Sequence, residues 1–143
     1  MPHAHEILLV DDNPADAVLV REALGDDSHR TRLTCVTDGE QAITYLRERS
    51  KSPTRPDLII LDLNLPRKDG RAVLADVKSD PDLRQTAIVV FSASQSRHDI
   101  VKSYELGANC YVCKPGNLHE YLEAVQSIEQ FWFGCARLPH GGE

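Results

Sequence analysis

No stretch of the chain is apolar for long enough to cross a membrane, and nothing at its start reads as a secretory leader. The first apolar run, Ile7 to Val10, is far too short for either. Those two absences predict a cytoplasmic protein. Basic charge is also scarce: 16 Lys and Arg stand against 22 Asp and Glu, a formal net charge of −6, and no basic run appears. That balance argues against nonspecific nucleic-acid binding. Cysteine is limited to four residues, which in a chain of this length do not read as a disulfide framework. Cys110 and Cys113 form C-x-x-C, an arrangement used for redox or zinc chemistry. They lie in strand-like sequence, however, where residues three apart face opposite sides, and no second pair stands at zinc spacing. All four are expected to be reduced, mostly structural thiols, with Cys135 the exposed one. His3, His5, His29, His98, His119 and His140 show no ligand spacing and read as surface residues. Internal repeats and low-complexity segments are lacking too.

What remains is ordinary globular material: 143 residues, 41% hydrophobic and 27% charged, enough for one domain with a single substantial core. Its organising stretch is Asp57 to Pro66, where Leu58 to Leu61 form an unbroken aliphatic run followed by Asp62. Such a run, bounded by Pro56 and Pro66, predicts a strand buried on both faces in the middle of a parallel sheet. Around it the pattern alternates. Strands are expected at His5–Val10, Arg32–Val36, Asp57–Leu61, Ala87–Phe91 and Asn109–Cys113. The first helix starts at Asn13-Pro14, with Asn as cap and Pro at the first helical position, and ends at Gly25. Asp38 caps the second, with Gln41 as its capping-box partner, and Asp69-Gly70 opens the third. The fourth runs from Ser96 to Leu106, and Asn117 caps the last. Five strands alternating with five helices mean a doubly wound α/β fold, a parallel sheet covered on both faces.

In such a sheet the ligand crevice lies at the carboxyl ends of the strands. Asp11 and Asp12 follow strand one, Asp62 strand three, Ser92 strand four and Lys114 strand five. Asp62 alone could simply cap or bend its loop. Three acids together repel one another, and oxygen ligands without Cys or His suit a hard ion such as Mg2+. With that ion bound and Lys114 near, Asp62 could attack a phosphoryl group while metal and amine stabilise its oxygens.

Read together, Val10-Asp11-Asp12-Asn13, Leu61 to Pro66 with Asp69-Gly70, Phe91-Ser92-Ala93, Gly107-Ala108 and Lys114-Pro115 resemble a response-regulator receiver domain along nearly the whole chain. The resemblance implies a flavodoxin-like sheet of strand order 2-1-3-4-5. It implies Asp62 as phosphoacceptor, Asp12 as direct Mg2+ ligand, Asp11 as a mainly water-mediated one, and the Asn64 carbonyl as another. Ser92 becomes the switch hydroxyl, Tyr111 the aromatic switch residue that turns inward, and Lys114 the phosphoryl-binding amine. Asn64 and Ser94 would influence the lifetime of the phosphorylated state. Asn109-Cys110-Tyr111, and Ser127 to Phe133 with Leu138-Pro139, are similar to single-domain regulators served by phytochrome-type histidine kinases, which makes such a kinase the expected partner.

The expected division is a receiver over residues 1–128 and a helical extension and tail over 129–143, without a separate output domain. Phe131-Trp132-Phe133 either tucks under the final helix or forms an exposed apolar patch for a homodimer or partner; the second reading is preferred. Two rivals share parts of the pattern. An aspartyl phosphatase uses Asp-x-Asp, but Asn64 removes its general acid. A small flavodoxin-like redox protein would need a phosphate cradle after strand one, where Asp11-Asp12 would repel phosphate.

Overall fold

Alternation of five apolar strands with five capped helices closes, in the computed structural model, into a layered α/β fold, described for residues 4–25 and 31–139. The strands are β1 (His5–Val10), β2 (Thr31–Val36), β3 (Leu58–Leu61), β4 (Ala87–Ser92) and β5 (Cys110–Cys113), each within one residue of its expected bounds. All neighbours pair in parallel, and the order is β2-β1-β3-β4-β5. The helices are α1 (Pro14–Leu24), α2 (Gly39–Glu48), α3 (Gly70–Ser79), α4 (Arg97–Glu105) and α5 (Leu118–Gln130). A π-helical turn, Phe131–Cys135, extends α5. Among the described residues no helix is long and apolar enough to cross a membrane.

Strand alternation divides the core in two. Leu8, Val10, Ile59, Leu61, Ile88 and Val90 face α2 and α3, meeting Ala42, Leu46, Val73, Leu74 and Val77. Ile7, Leu9, Leu58, Ile60, Val89 and Phe91 face α1 and α5, meeting Val20, Ala23, Tyr121, Val125 and Ile128. Each large side chain removed from water contributes about 1.5–3 kcal/mol. Because β1, β3 and β4 are apolar on both faces, they cannot sit at an edge, and their polar residues are confined to the strand ends.

The caps form as the sequence requires. Asn13 accepts from the Ala15 amide at 2.9 Å, Asp38 from Gln41 at 2.8 Å and Asn117 from Glu120 at 2.8 Å. Gln41 departs from the expected box: its side chain accepts from the amide of Thr37 at 3.1 Å, one residue before the cap. Gly25, at φ 80°, ends α1 in a backbone conformation that favours glycine.

The cysteines are free thiols, three half-buried and Cys135 exposed. Cys110 packs with the α1–α5 core, whereas Cys113 Sγ lies 3.6 Å from the Ser94 carbonyl, so the C-x-x-C pair does point to opposite sides. His98 and His119 are exposed, and His119 pairs with Glu123 at 3.3 Å. His5 corrects the surface assignment: it is half-buried and stacks on Phe133 with ring centroids 4.1 Å apart. His3, His29 and His140 lie outside the described residues. The aromatic trio divides between its two readings. Phe131 is 52% exposed, while Trp132 and Phe133 pack against the α1–α5 core. The π turn, closed by the Ala136 amide on the Phe131 carbonyl at 2.8 Å, carries those two rings toward β1.

Candidate functional site

Parallel pairing brings the strand ends to one rim. The Asp62 amide donates to the Val10 carbonyl at 2.9 Å, the Asp11 amide to Val36 at 3.1 Å, and the Lys114 amide to Ser92 at 2.8 Å. These bonds continue the sheet ladder by one residue and place Asp11, Asp62, Ser92 and Lys114 side by side. Asp11 is 4% exposed and Ser92 fully buried; Asp12 is exposed.

Lys114 is the hub of the cluster. Its ammonium donates to Asp11 Oδ2 at 2.9 Å, Asp16 Oδ2 at 2.9 Å and Asp62 Oδ2 at 3.2 Å, which uses all three of its protons. Burial alone would lower its pKa. The hydrogen bonds to Asp11 and Asp16, with the charges of Asp11 and Asp62, outweigh burial and hold the ammonium above the ordinary lysine value. Asp11 shifts the other way: burial pushes its carboxyl up to about 6, against the opposing pull of the Asn13 amide and Lys114. Asp62 Oδ1 accepts from the Leu63 amide at 2.8 Å, which fixes the carboxylate's orientation.

One oxygen from each of Asp11, Asp12 and Asp62 lies within 4.8 Å of the others. Oxygen donors alone, carrying three negative charges in so small a space, fit a hard divalent cation better than a softer metal. Asn64 lines the same cleft.

The loop after β3 is held tightly under this cluster. A Cβ on Gly70 would collide with the Asp62 carbonyl oxygen and with Leu63 Cα, and the Gly70 amide donates to the Leu63 carbonyl at 2.9 Å. The Asp-Gly pair therefore serves as both helix cap and contact point: Asp69 accepts from the Arg71 amide at 3.0 Å.

Ser92 Oγ accepts from the Ser94 amide at 3.2 Å. Tyr111 already stands inward, half-buried against the core, with its hydroxyl on the Ser94 carbonyl at 2.9 Å. Ser94 also donates to Asp99 at 2.6 Å, and Asp99 pairs with Arg71 at 2.6 Å. The Ser94 hydroxyl and then Arg71 hold the Asp99 carboxyl below its usual range.

Two residues of the site escape sequence reasoning. Asp16 reads only as an acid in the first turn of α1, and Tyr121 stands outside the apolar positions read for the last helix. Tyr121 donates to Asp16 Oδ1 at 2.8 Å, and burial followed by this carboxylate raises its pKa. The available signal was Pro14 at the first helical position, which puts Asp16 two residues further on the end of α1 that faces the rim.

Residues 7–126 match the family of the response regulator receiver domain. The chain belongs to that family. The receiver is 44% identical over 135 residues to "Response regulator Rcp1" of Synechocystis, covering 93% of this chain and 92% of that one. It is also similar to the crystal structure of the phosphorylated cyanobacterial phytochrome response regulator RcpA, with a TM-score of 0.90 and 46% identity over 96% of this chain and 99% of that one. The Mn(2+)-bound form of Rcp1 gives a TM-score of 0.87 and 45% identity over 95% and 99% of the two chains. The receiver domain of the Pseudomonas aeruginosa histidine kinase PA1611, with magnesium coordinated in its active-site cleft, gives 0.70 and 30% identity over 92% and 98%. The expected fold and strand order hold throughout, and the redox alternative finds no support.

Proposed function

We propose that this receiver accepts a phosphoryl group on Asp62 from the phosphohistidine of a histidine kinase of the phytochrome type. The observation that carries the reading is Lys114, set 3.2 Å from Asp62 Oδ2 within a three-acid cluster. Asp11, Asp12, Asp62 and the Asn64 carbonyl would hold Mg2+, which when bound supplies charge neutralisation for the phosphoryl oxygens. In the transfer, a carboxylate oxygen of Asp62 forms the new P–O bond. The P–N bond to the donor histidine breaks, and its electron pair leaves with the imidazole. Lys114 then pairs with a phosphoryl oxygen, and Ser92 turns from the Ser94 amide to another. Hydrolysis of the acyl phosphate resets the site without a separate enzyme. The likeness to the cyanobacterial phytochrome response regulator RcpA, together with the aromatic ending similar to that group, supports the phytochrome link.

Output passes through the face built by α4, β5 and α5, where Tyr111 and Ser94 join two of these elements to the site. The exposed Phe131 supports a homodimer or partner contact through the C-terminal segment. Two measurements test these readings. Asp62→Asn should abolish acid-labile phosphate incorporation from a cognate kinase, and undiminished labelling would remove Asp62 from the role. Phe131→Ala should lower the mass in solution if this segment forms the dimer; an unchanged mass counts against that contact.

A further inference from the structure

The acidic cluster does not account for every carboxylate on Lys114. Asp11 and Asp62 belong to the trio suited to a divalent ion, whereas Asp16 does not. Asp16 is instead held from behind: Tyr121, 5% exposed, donates to its second oxygen at 2.8 Å. A cation entering the trio would draw the lone pairs of Asp11 and Asp62 toward itself and weaken two of the three bonds that fix the amine. The bond to Asp16, at 2.9 Å, is the one that would survive.

We propose that Asp16, braced by Tyr121, is a positioning residue that keeps Lys114 aimed at Asp62 once the metal-binding carboxylates have turned away. The proposal rests on the phosphoryl-transfer reading above and names a further residue for that reaction. Asp16 itself neither gives nor takes a proton; it holds an amine whose role is to meet the phosphoryl oxygens. It also ties the site to the body of α5, because Tyr121 is part of the core beneath that helix.

The experiment measures phosphorylation of the whole chain by acetyl phosphate at saturating Mg2+. Here Asp62 forms a P–O bond while the donor's P–O bond breaks and its electron pair leaves as acetate. Mg2+ affinity is measured separately by calorimetry. Asp16→Asn is expected to slow phosphorylation about tenfold, the effect of losing one charged hydrogen bond, with the Mg2+ Kd unchanged. Tyr121→Phe should slow it in the same direction and by less. In a Lys114→Ala background, Asp16→Asn should add nothing, because the group it positions is gone. A wild-type rate for Asp16→Asn would overturn the proposal. So would a slowing that persists in full without Lys114, which marks a general structural role, or a Mg2+ Kd that rises in step, which marks a metal ligand. Asp62→Asn run alongside keeps the two readings apart: if it still takes up phosphate at the wild-type rate, the phosphoacceptor assignment fails instead.

Discussion

The hydroxyl of Tyr111 and the carbonyl of Ser94 are joined at 2.9 Å, so the ring is tied to the loop that follows the buried Ser92. Because this bond belongs to the inward position of the ring, removing it should favour the outward one. We expect Tyr111→Phe to bind fluoroberyllate about two- to tenfold more weakly in the presence of Mg2+, the range of one neutral hydrogen bond. Titration of both proteins with the phosphoryl mimic checks this, and equal affinities would separate the ring position from occupancy of the site.

Lys114 neutralises a cluster that repels itself. Its side chain is 10% exposed, and those of Asp11, Asp16 and Asp62 are 2%, 13% and 12% exposed, so the charges are only partly screened by solvent. Lys114→Ala should therefore cost about 1–3 kcal/mol of folding stability without divalent ions. Added Mg2+ should recover part of the loss by binding the folded state. Urea denaturation with Mg2+ and with EDTA measures both.

Protons and metal compete for Asp11. Its carboxyl, raised by burial to about 6, takes up a proton in the fold more readily than in the unfolded chain. This group alone thus favours the metal-free fold at low pH, and that contribution is lost as pH rises through about 6. Mg2+ binding follows the opposite direction, since the ion needs the carboxylate. Affinity should be level above about pH 7 and fall by up to tenfold per unit below about 6. Calorimetric titration across that range is the check.

Gly70 has no room for a side chain against the backbone of Asp62 and Leu63. Because the colliding atoms are main-chain, they cannot rotate away. Gly70→Ala should destabilise the fold by about 1–3 kcal/mol and slow phosphorylation by displacing Asp62. Thermal unfolding and the acetyl phosphate assay read the two effects.

Much of this molecule was legible from its residues because the signals are local. Leu58 to Leu61 announce a central strand by composition, and Asn13-Pro14 a helix start by backbone chemistry. Once those elements are ordered, Asp11, Asp62 and Lys114 must meet, since parallel strands end on one rim. Asp16 and Tyr121 were not legible in this way. They are 105 residues apart; Asp16 has a sufficient local explanation as a helix acid, and Tyr121 lies outside the apolar positions that define α5. The His5–Phe133 stack was hidden for a related reason: a π turn shifts the rotation of the chain after α5, and no periodicity extrapolated from α5 contains that shift. Gln41 shows the same limit at short range, where the motif is present but its side chain selects the neighbouring amide.

The stack of Phe133 on His5 also settles where an external label can go. His5 opens the strand that Asp11 follows, so the two ends of β1 are separated by about 20 Å of extended chain. Cys135, exposed and two residues beyond Phe133, therefore offers a thiol handle on the side of the sheet away from the acids. A fluorophore attached there would leave the acidic rim uncovered.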